Sequence, residues 1–250
     1  MDLNQHQRFE DLSFDDFRNM ASDSSLSCYE KIGFPNSYRQ GKEQIIFEDI
    51  SSKLSLLHEY NKVVLDIGPG CSELPHMLVE LCRSRNHHLI FIDSEEMLSH
   101  LPDETFIEKV SGYYPNCLDK EKYKNKIDVI LGYSIFHYVF SESNIYNFLD
   151  TSLYLMAEDG QMLIGDIPNI SKRKRFFSSQ NGVRFHQAFT DSLEMPDVKF
   201  NEIDFNKIDD SVIMSLFARA RNQGFDAYIL PQSDRLPMSN RREDVLIIRP

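Results

Sequence analysis

The residues best suited to chemistry gather first in the run Asp66-Ile67-Gly68-Pro69-Gly70-Cys71-Ser72. Two glycines so close together let the chain turn tightly and let a ligand approach the main chain. Ser72 is a natural helix N-cap, and the free N–H groups of the first turn beyond it are ready donors. Pro75 is tolerated there because the N–H it lacks would have no helical partner. A dinucleotide site would set a pyrophosphate on this turn, with glycines spaced G-x-G-x-x-G. The third glycine is missing here, and Asp66 suits a ligand carrying an ammonium group rather than two phosphates. A second acid, Asp93, ends the apolar run 88–93, 23 residues past Gly70. A carboxylate at such a place can accept both hydroxyls of a ribose; the competing reading is a helix-capping acid. Ser94 follows and caps a short helix. A third acid, Asp166, ends the run 161–165.

These positions need strands to hold them. Val63, Val64 and Leu65 form an apolar run of the kind a fully buried parallel strand requires. Leu74, Met77, Leu78, Leu81 and Cys82 then share one face at helical spacing. A helix over 42–58 leads into the first strand. Further strands are expected at 88–93, 106–110, 126–133 and 161–165, with a helix over 144–155 and a turn at 158–160. A helix over 211–222 stops at Gly224. The last two strands, 226–230 and 244–249, are joined by 13 positions with two prolines. That gap holds no comfortable helix, so these strands should be antiparallel neighbours. The whole predicts an α/β, Rossmann-like, seven-stranded, mostly parallel sheet with a terminal antiparallel hairpin and helices on both faces. Ligands bind such sheets at the carboxyl ends of the strands.

Residues 60–250 resemble the class I S-adenosylmethionine-dependent methyltransferases. The resemblance rests on the acid-x-G-x-G turn, the acid ending the second strand, the order of strands and the closing hairpin. It implies S-adenosylmethionine as cofactor, held by Asp66, Gly68, Pro69, Gly70, Asp93 and Ser94. The turn at Gly112 and Tyr113 would pack along the adenine. Many members place an acid where this chain has Tyr113, which leaves Tyr113, Tyr114 or neither to stack on the ring. Gly132, Tyr133 and Ser134 would line the methyl-transfer channel. The aromatic segment 32–39 is either a packed connector or a lid whose Arg39 reaches the cofactor carboxylate. The implied reaction is in-line displacement, with candidate bases His137, His186 and Asp166 and with Tyr133 as an orienting hydroxyl.

Composition bounds the partners. The chain has 250 residues, 41% hydrophobic and 26% charged, with a net charge of −12. A broadly acidic surface argues against nucleic acid. No run approaches the roughly 20 apolar residues of a membrane span, the first twenty are too polar for a secretory signal, and four scattered cysteines read as free thiols, so a cytoplasmic protein is expected. An N-terminal arm or lid over 1–41 precedes a single domain over 42–250. A cap insertion at about 168–210, without clear periodicity, carries Lys172-Arg173-Lys174-Arg175 among phenylalanines. That basic run favours a small polar acceptor, anionic and sugar-like or nucleotide-sugar-like in character. No metal site is expected, and a homo-oligomer is allowed. Two alternatives remain: a catalytically silent cofactor-binding partner subunit of the same fold, and a nicotinamide-dependent oxidoreductase.

Overall fold

The computed structural model describes residue 9 and residues 12–250. Residues 1–8, 10 and 11 of the expected N-terminal arm lie outside the described residues. The strands are β1 (Val63–Ile67), β2 (His88–Asp93), β3 (Ile107–Ser111), β4 (Ile127–Tyr133), β5 (Met156–Pro168), β6 (Asp226–Pro231) and β7 (Arg242–Ile248). They form one sheet in the order β3-β2-β1-β4-β5-β7-β6. The first five strands pair in parallel, and β7 runs antiparallel to both β5 and β6. The terminal hairpin is therefore as expected: β7 inserts between β5 and β6, so the last strand in sequence is not the last in the sheet.

Alternation along the central strands divides the core in two. Leu65 and Ile67 of β1, Ile90 and Ile92 of β2, and Ile130 of β4 enter one cluster, with the helices Ile145–Leu155 and Asp210–Asn222. Val64, Leu89, Phe91, Val129 and Leu131 enter the other, with the helices Glu43–Lys53 and Glu73–Arg85. Both faces of each strand are covered, which is why these segments read as unbroken apolar runs.

Several boundaries differ from expectation. The helix before β1 stops at Lys53, and a 3₁₀ turn (Ser55–His58) replaces its end. β5 starts at Met156 and runs to Pro168, because the chain rejoins the sheet on both sides of the left-handed Asp159. The cap insertion is more regular than its sequence suggests. It holds two helices, Ile170–Phe177 capped by Asn169 and Gln180–Thr190 capped by Ser179. Among the described residues no helix is long and apolar enough to cross a membrane.

Candidate active site

The carboxyl ends of β1, β2 and β4 open into a shared cleft. Its floor is the glycine turn. Gly68 and Gly70 both have φ of +68°, a region other residues enter only with strain. A Cβ on Gly68 would come within 2.7 Å of Ile135, and one on Gly70 within 2.6 Å of Ile32. Glycine thus serves the bend and also lets two isoleucines close over it. Ser72 caps the following helix through Leu74 N–H, as its sequence position predicts.

Asp93 stands beside this turn and lines the cleft. Its Oδ2 accepts from Gly70 N–H at 3.2 Å and its Oδ1 from Ser94 N–H at 2.7 Å. An ionised carboxylate has about four acceptor sites, so room remains for two hydroxyl donors. Burial pushes this carboxyl up to about 6, against those two hydrogen bonds. Asp66 behaves differently. Its carboxyl is buried below the turn, outside the cleft lining, where burial and then the neighbouring Asp93 push it up to about 8. The native protein therefore keeps a proton on Asp66 that the unfolded chain releases near pH 4. Stability falls as pH rises between those two values. Asp66→Asn removes this penalty, so its Tm should gain on the wild type from pH 5 to about pH 8 and level off above that. Parallel melting curves across that range would show that Asp66 titrates normally.

Two aromatic walls rise from the floor. On one side stand Gly112, Tyr113 and Tyr114, after β3. Tyr114 is buried, sharing a hydrogen bond with Ser152 Oγ at 2.8 Å, while Tyr113 is only half-buried in the lining. The edge of Phe14 meets Tyr113 at 5.2 Å. Phe14 and Phe17 come from the helix Phe14–Ser22, and Ile32, Phe34 and Arg39 from the segment leading to the helix Asn36–Arg39. The segment 32–39 therefore covers the cleft rather than packing away from it.

Among the described residues Arg39 is the one cationic side chain in the lining. It is 6% exposed, packs over the rings of Phe34 and Tyr133, and its Nε has no hydrogen-bond partner. Its Nη2 donates to Ser134 Oγ at 3.3 Å, and Ser134 Oγ donates to Asp166 Oδ2 at 2.5 Å. Ser134 follows β4 and Asp166 lies near the end of the neighbouring β5, and both have left-handed backbones, with φ of 61° and 59°. Such conformations are held only where surrounding contacts impose them. Here Asp166 N–H donates to Asp244 Oδ1 at 2.8 Å, and Arg242 and Gln232 both donate to the Asp166 carboxylate. Gly165 makes room for the Tyr133 ring, which would touch a Cβ there at 2.4 Å.

The structure thus gathers Arg39, Gly68, Pro69, Gly70, Asp93, Gly112, Tyr113, Tyr133 and Ser134 around one cleft. Ser94 and Gly132 lie just behind, and Asp166 borders a smaller adjoining hollow with Tyr38 and Met238. Two of the candidate bases are elsewhere. His137 does not line the cleft; its ring packs on Tyr138 at 3.8 Å, and burial, then Arg242 and Lys207, push it down to about 3. His186 lies on the second cap helix, 6.2 Å from the Phe177 ring and away from the cleft. The basic run is likewise engaged: Lys172 bonds Arg242 O, Lys174 pairs with Asp204, Arg175 with Asp210, and Arg173 covers the Phe177 ring. None of the four lines the cleft.

Sequence reasoning missed Phe14, Phe17 and Glu142, which line the cleft without belonging to any motif. It also missed Glu43, a 1% exposed carboxylate near Arg39 with both oxygens unpartnered. Burial pushes that carboxyl up, Arg39 opposes, and the Ser72 hydroxyl stands beside it outside hydrogen-bonding geometry.

No known protein-family profile matches the sequence, and no curated protein matches it. Solved structures do. The plantazolicin methyltransferase BamL, solved with a triazolic desmethylPZN analog and SAH, superposes with a TM-score of 0.57 at 14% identity, over 93% of this chain and 97% of that one. A SAM-dependent methyltransferase from Aquifex aeolicus gives 0.55 at 14% identity, over 89% and 97%. The plantazolicin methyltransferase BpumL, also solved with an analog and SAH, gives 0.55 at 16%, over 98% and 99%. The protein has the fold of the class I S-adenosylmethionine-dependent methyltransferases, including their antiparallel seventh strand.

Proposed function

We propose that this protein transfers the methyl group of S-adenosylmethionine to a small molecule with an apolar or aromatic body. The observation that carries the reading is one cleft in which the glycine turn, a ribose-ready carboxylate and a buried arginine with a free Nε converge. The residues fit the cofactor part by part. Asp93 has acceptor sites left for a ribose, Tyr113 offers a ring to the adenine, and Arg39 offers an unpaired N–H to the amino-acid carboxylate.

Bound there, S-adenosylmethionine supplies a methyl group made reactive by its sulfonium. The chain's own work is to hold the acceptor in line and to exclude water. Phe17, Phe34, Tyr133, Ile135 and Tyr138 supply a mostly apolar wall for that purpose. The sugar-like, anionic acceptor suggested by the basic run loses its support, because none of the four side chains lines the cleft and Lys174 and Arg175 pair with acids of the cap instead. Among the described residues no histidine lines the cleft. An acceptor nitrogen with a free lone pair suits such a site, since it needs no base to attack.

The test is calorimetric titration with S-adenosylmethionine, S-adenosylhomocysteine and NAD, followed by turnover on a panel of aromatic amines, phenols and sugar nucleotides. The expected result is binding of the two adenosyl ligands, none of NAD, and S-adenosylhomocysteine formed only with aromatic acceptors. Absence of adenosyl binding overturns the reading. Tight binding with no turnover across the panel favours a silent cofactor-binding subunit instead.

A further inference from the structure

We propose that Glu142 recognises the exocyclic amine of the adenine ring, in place of the acid that the β3 turn lacks. This rests on the cofactor reading above. The turn after β3 presents Gly112 and Tyr113 to the cleft, and neither side chain can act as a carboxylate acceptor. The facing wall supplies one. Ile135, Tyr138, Val139 and Glu142 recur at helical spacing and all line the cleft, so Glu142 lies on the ligand side of the helix Phe136–Glu142.

One hydrogen bond fixes where Glu142 stands, and its neighbours place it beside Tyr113. Its Oε2 accepts from Phe14 N–H at 3.3 Å. The Phe14 ring in turn meets Tyr113 edge-on. The Tyr113 hydroxyl is pushed up by burial first, and then by the charge of Glu142. Glu142 and Tyr113 therefore stand near each other in the cleft lining, bridged by Phe14. A base attached to a ribose on Asp93 would have its face to Tyr113 and its edge toward Glu142.

The chemistry of that edge follows. Adenine carries an amino group at C6 and an acceptor at N1; hypoxanthine carries an oxygen at C6 and a proton at N1. A carboxylate accepts from the amino group and repels the oxygen. Each hydrogen bond to a charged group is worth about a factor of ten or more in affinity. Among the described residues, Asp93 is the one other carboxylate in the lining and Arg39 the one cationic side chain. The Phe14 contact adds a consequence: the amine reader is steadied by the N-terminal helix, so the helix and the base are recognised together.

Calorimetry with S-adenosylhomocysteine and with S-inosylhomocysteine, its 6-oxo counterpart, tests the assignment. The wild type should prefer the adenosyl ligand by about thirtyfold or more. Glu142→Ala should lose about tenfold in affinity for the adenosyl ligand and little for the inosyl one. Glu142→Gln, whose amide can donate to the oxygen, should shrink the preference to about threefold or less. Asp93→Ala should weaken both ligands alike. If both Glu142 variants keep the wild-type preference, the assignment is overturned while the cofactor reading stands. If the wild type binds neither ligand, the cofactor reading falls and the assignment falls with it.

Discussion

Asp93→Ala is expected to weaken S-adenosylhomocysteine binding by at least about a hundredfold. Two ribose hydroxyls donating to a carboxylate contribute about 1.5–3 kcal/mol each, and every 1.4 kcal/mol is tenfold. The loss should not come from unfolding. Burial has already raised the Asp93 carboxyl to about 6, so the empty site bears a cost for holding that charge at neutral pH. Removing it leaves Gly70 and Ser94 N–H without their partner, a smaller cost of which Asp93→Asn should avoid about half, because its single amide oxygen replaces only one of the two acceptors. The melting temperature of Asp93→Ala should therefore stay close to that of the wild type at pH 7.5. The same raised carboxyl gives the wild type a pH signature. A bound ribose favours the ionised form, so affinity should be level above pH 7. It should fall by up to tenfold per unit below pH 6, with proton release on binding there. Calorimetry in two buffers of different ionisation enthalpy measures both the affinity and the protons. An Asp93→Ala affinity within threefold of the wild type would remove Asp93 from the ribose.

The part of this site that could be read in the sequence is the part built from strand ends. Gly68, Asp93, Gly112 and Ser134 follow apolar runs, and a strand buried on both faces announces its own end. Position along the chain then becomes position in the cleft. The covering residues have no such rule. Phe14, Phe17 and Glu142 reach the site from helix faces whose orientation depends on what they pack against. Glu43 and Asp244 were invisible for a different reason. A charge in a sequence reads as solvent-facing, and only the folded chain shows each of these carboxylates almost wholly buried.

Local pattern failed in the cap for a related reason. In Ile170–Phe177 the phenylalanines at 176 and 177 sit beside four consecutive basic residues, so the apolar stripe is narrow. What holds the helix is partly non-local: Asn169 N–H donates to Arg241 O, and Asn169 Nδ2 donates to Asp210 and Glu243. The same partners explain why the basic run misled. Lys174 and Arg175 meet acids some 30 and 35 positions further along the chain, which spacing alone could not announce. The closing hairpin was easier, because a strand pair with no room for a crossover helix has few other ways to join a sheet.

Asp244→Ala should be the most destabilising single change near the site, costing about 3–5 kcal/mol. Asp244 is fully buried on β7, where Lys53 Nζ donates to it at 2.6 Å, Gln232 Nε2 at 3.0 Å and Asp166 N–H at 2.8 Å. Alanine strips all three donors of an acceptor and leaves Lys53 with Asp49 alone. For a chain of this size that cost corresponds to a fall in Tm on the order of 10 °C. Lys53→Met combined with Asp244→Leu should recover much of it, since a buried ion pair often stabilises no more than well-packed apolar residues do. The double variant should not recover the site. Asp166 holds its left-handed backbone with the help of Asp244, and through its carboxylate it sets Ser134 and, at one remove, Arg39. Affinity for S-adenosylhomocysteine should therefore remain several-fold below wild type in the double variant even where its Tm is restored. Thermal melts and calorimetry on the same samples separate the two effects. A single variant melting within about 2 °C of the wild type would show that β7 does not carry this network, and full affinity in the double variant would show that Arg39 is placed by the segment 32–39 alone.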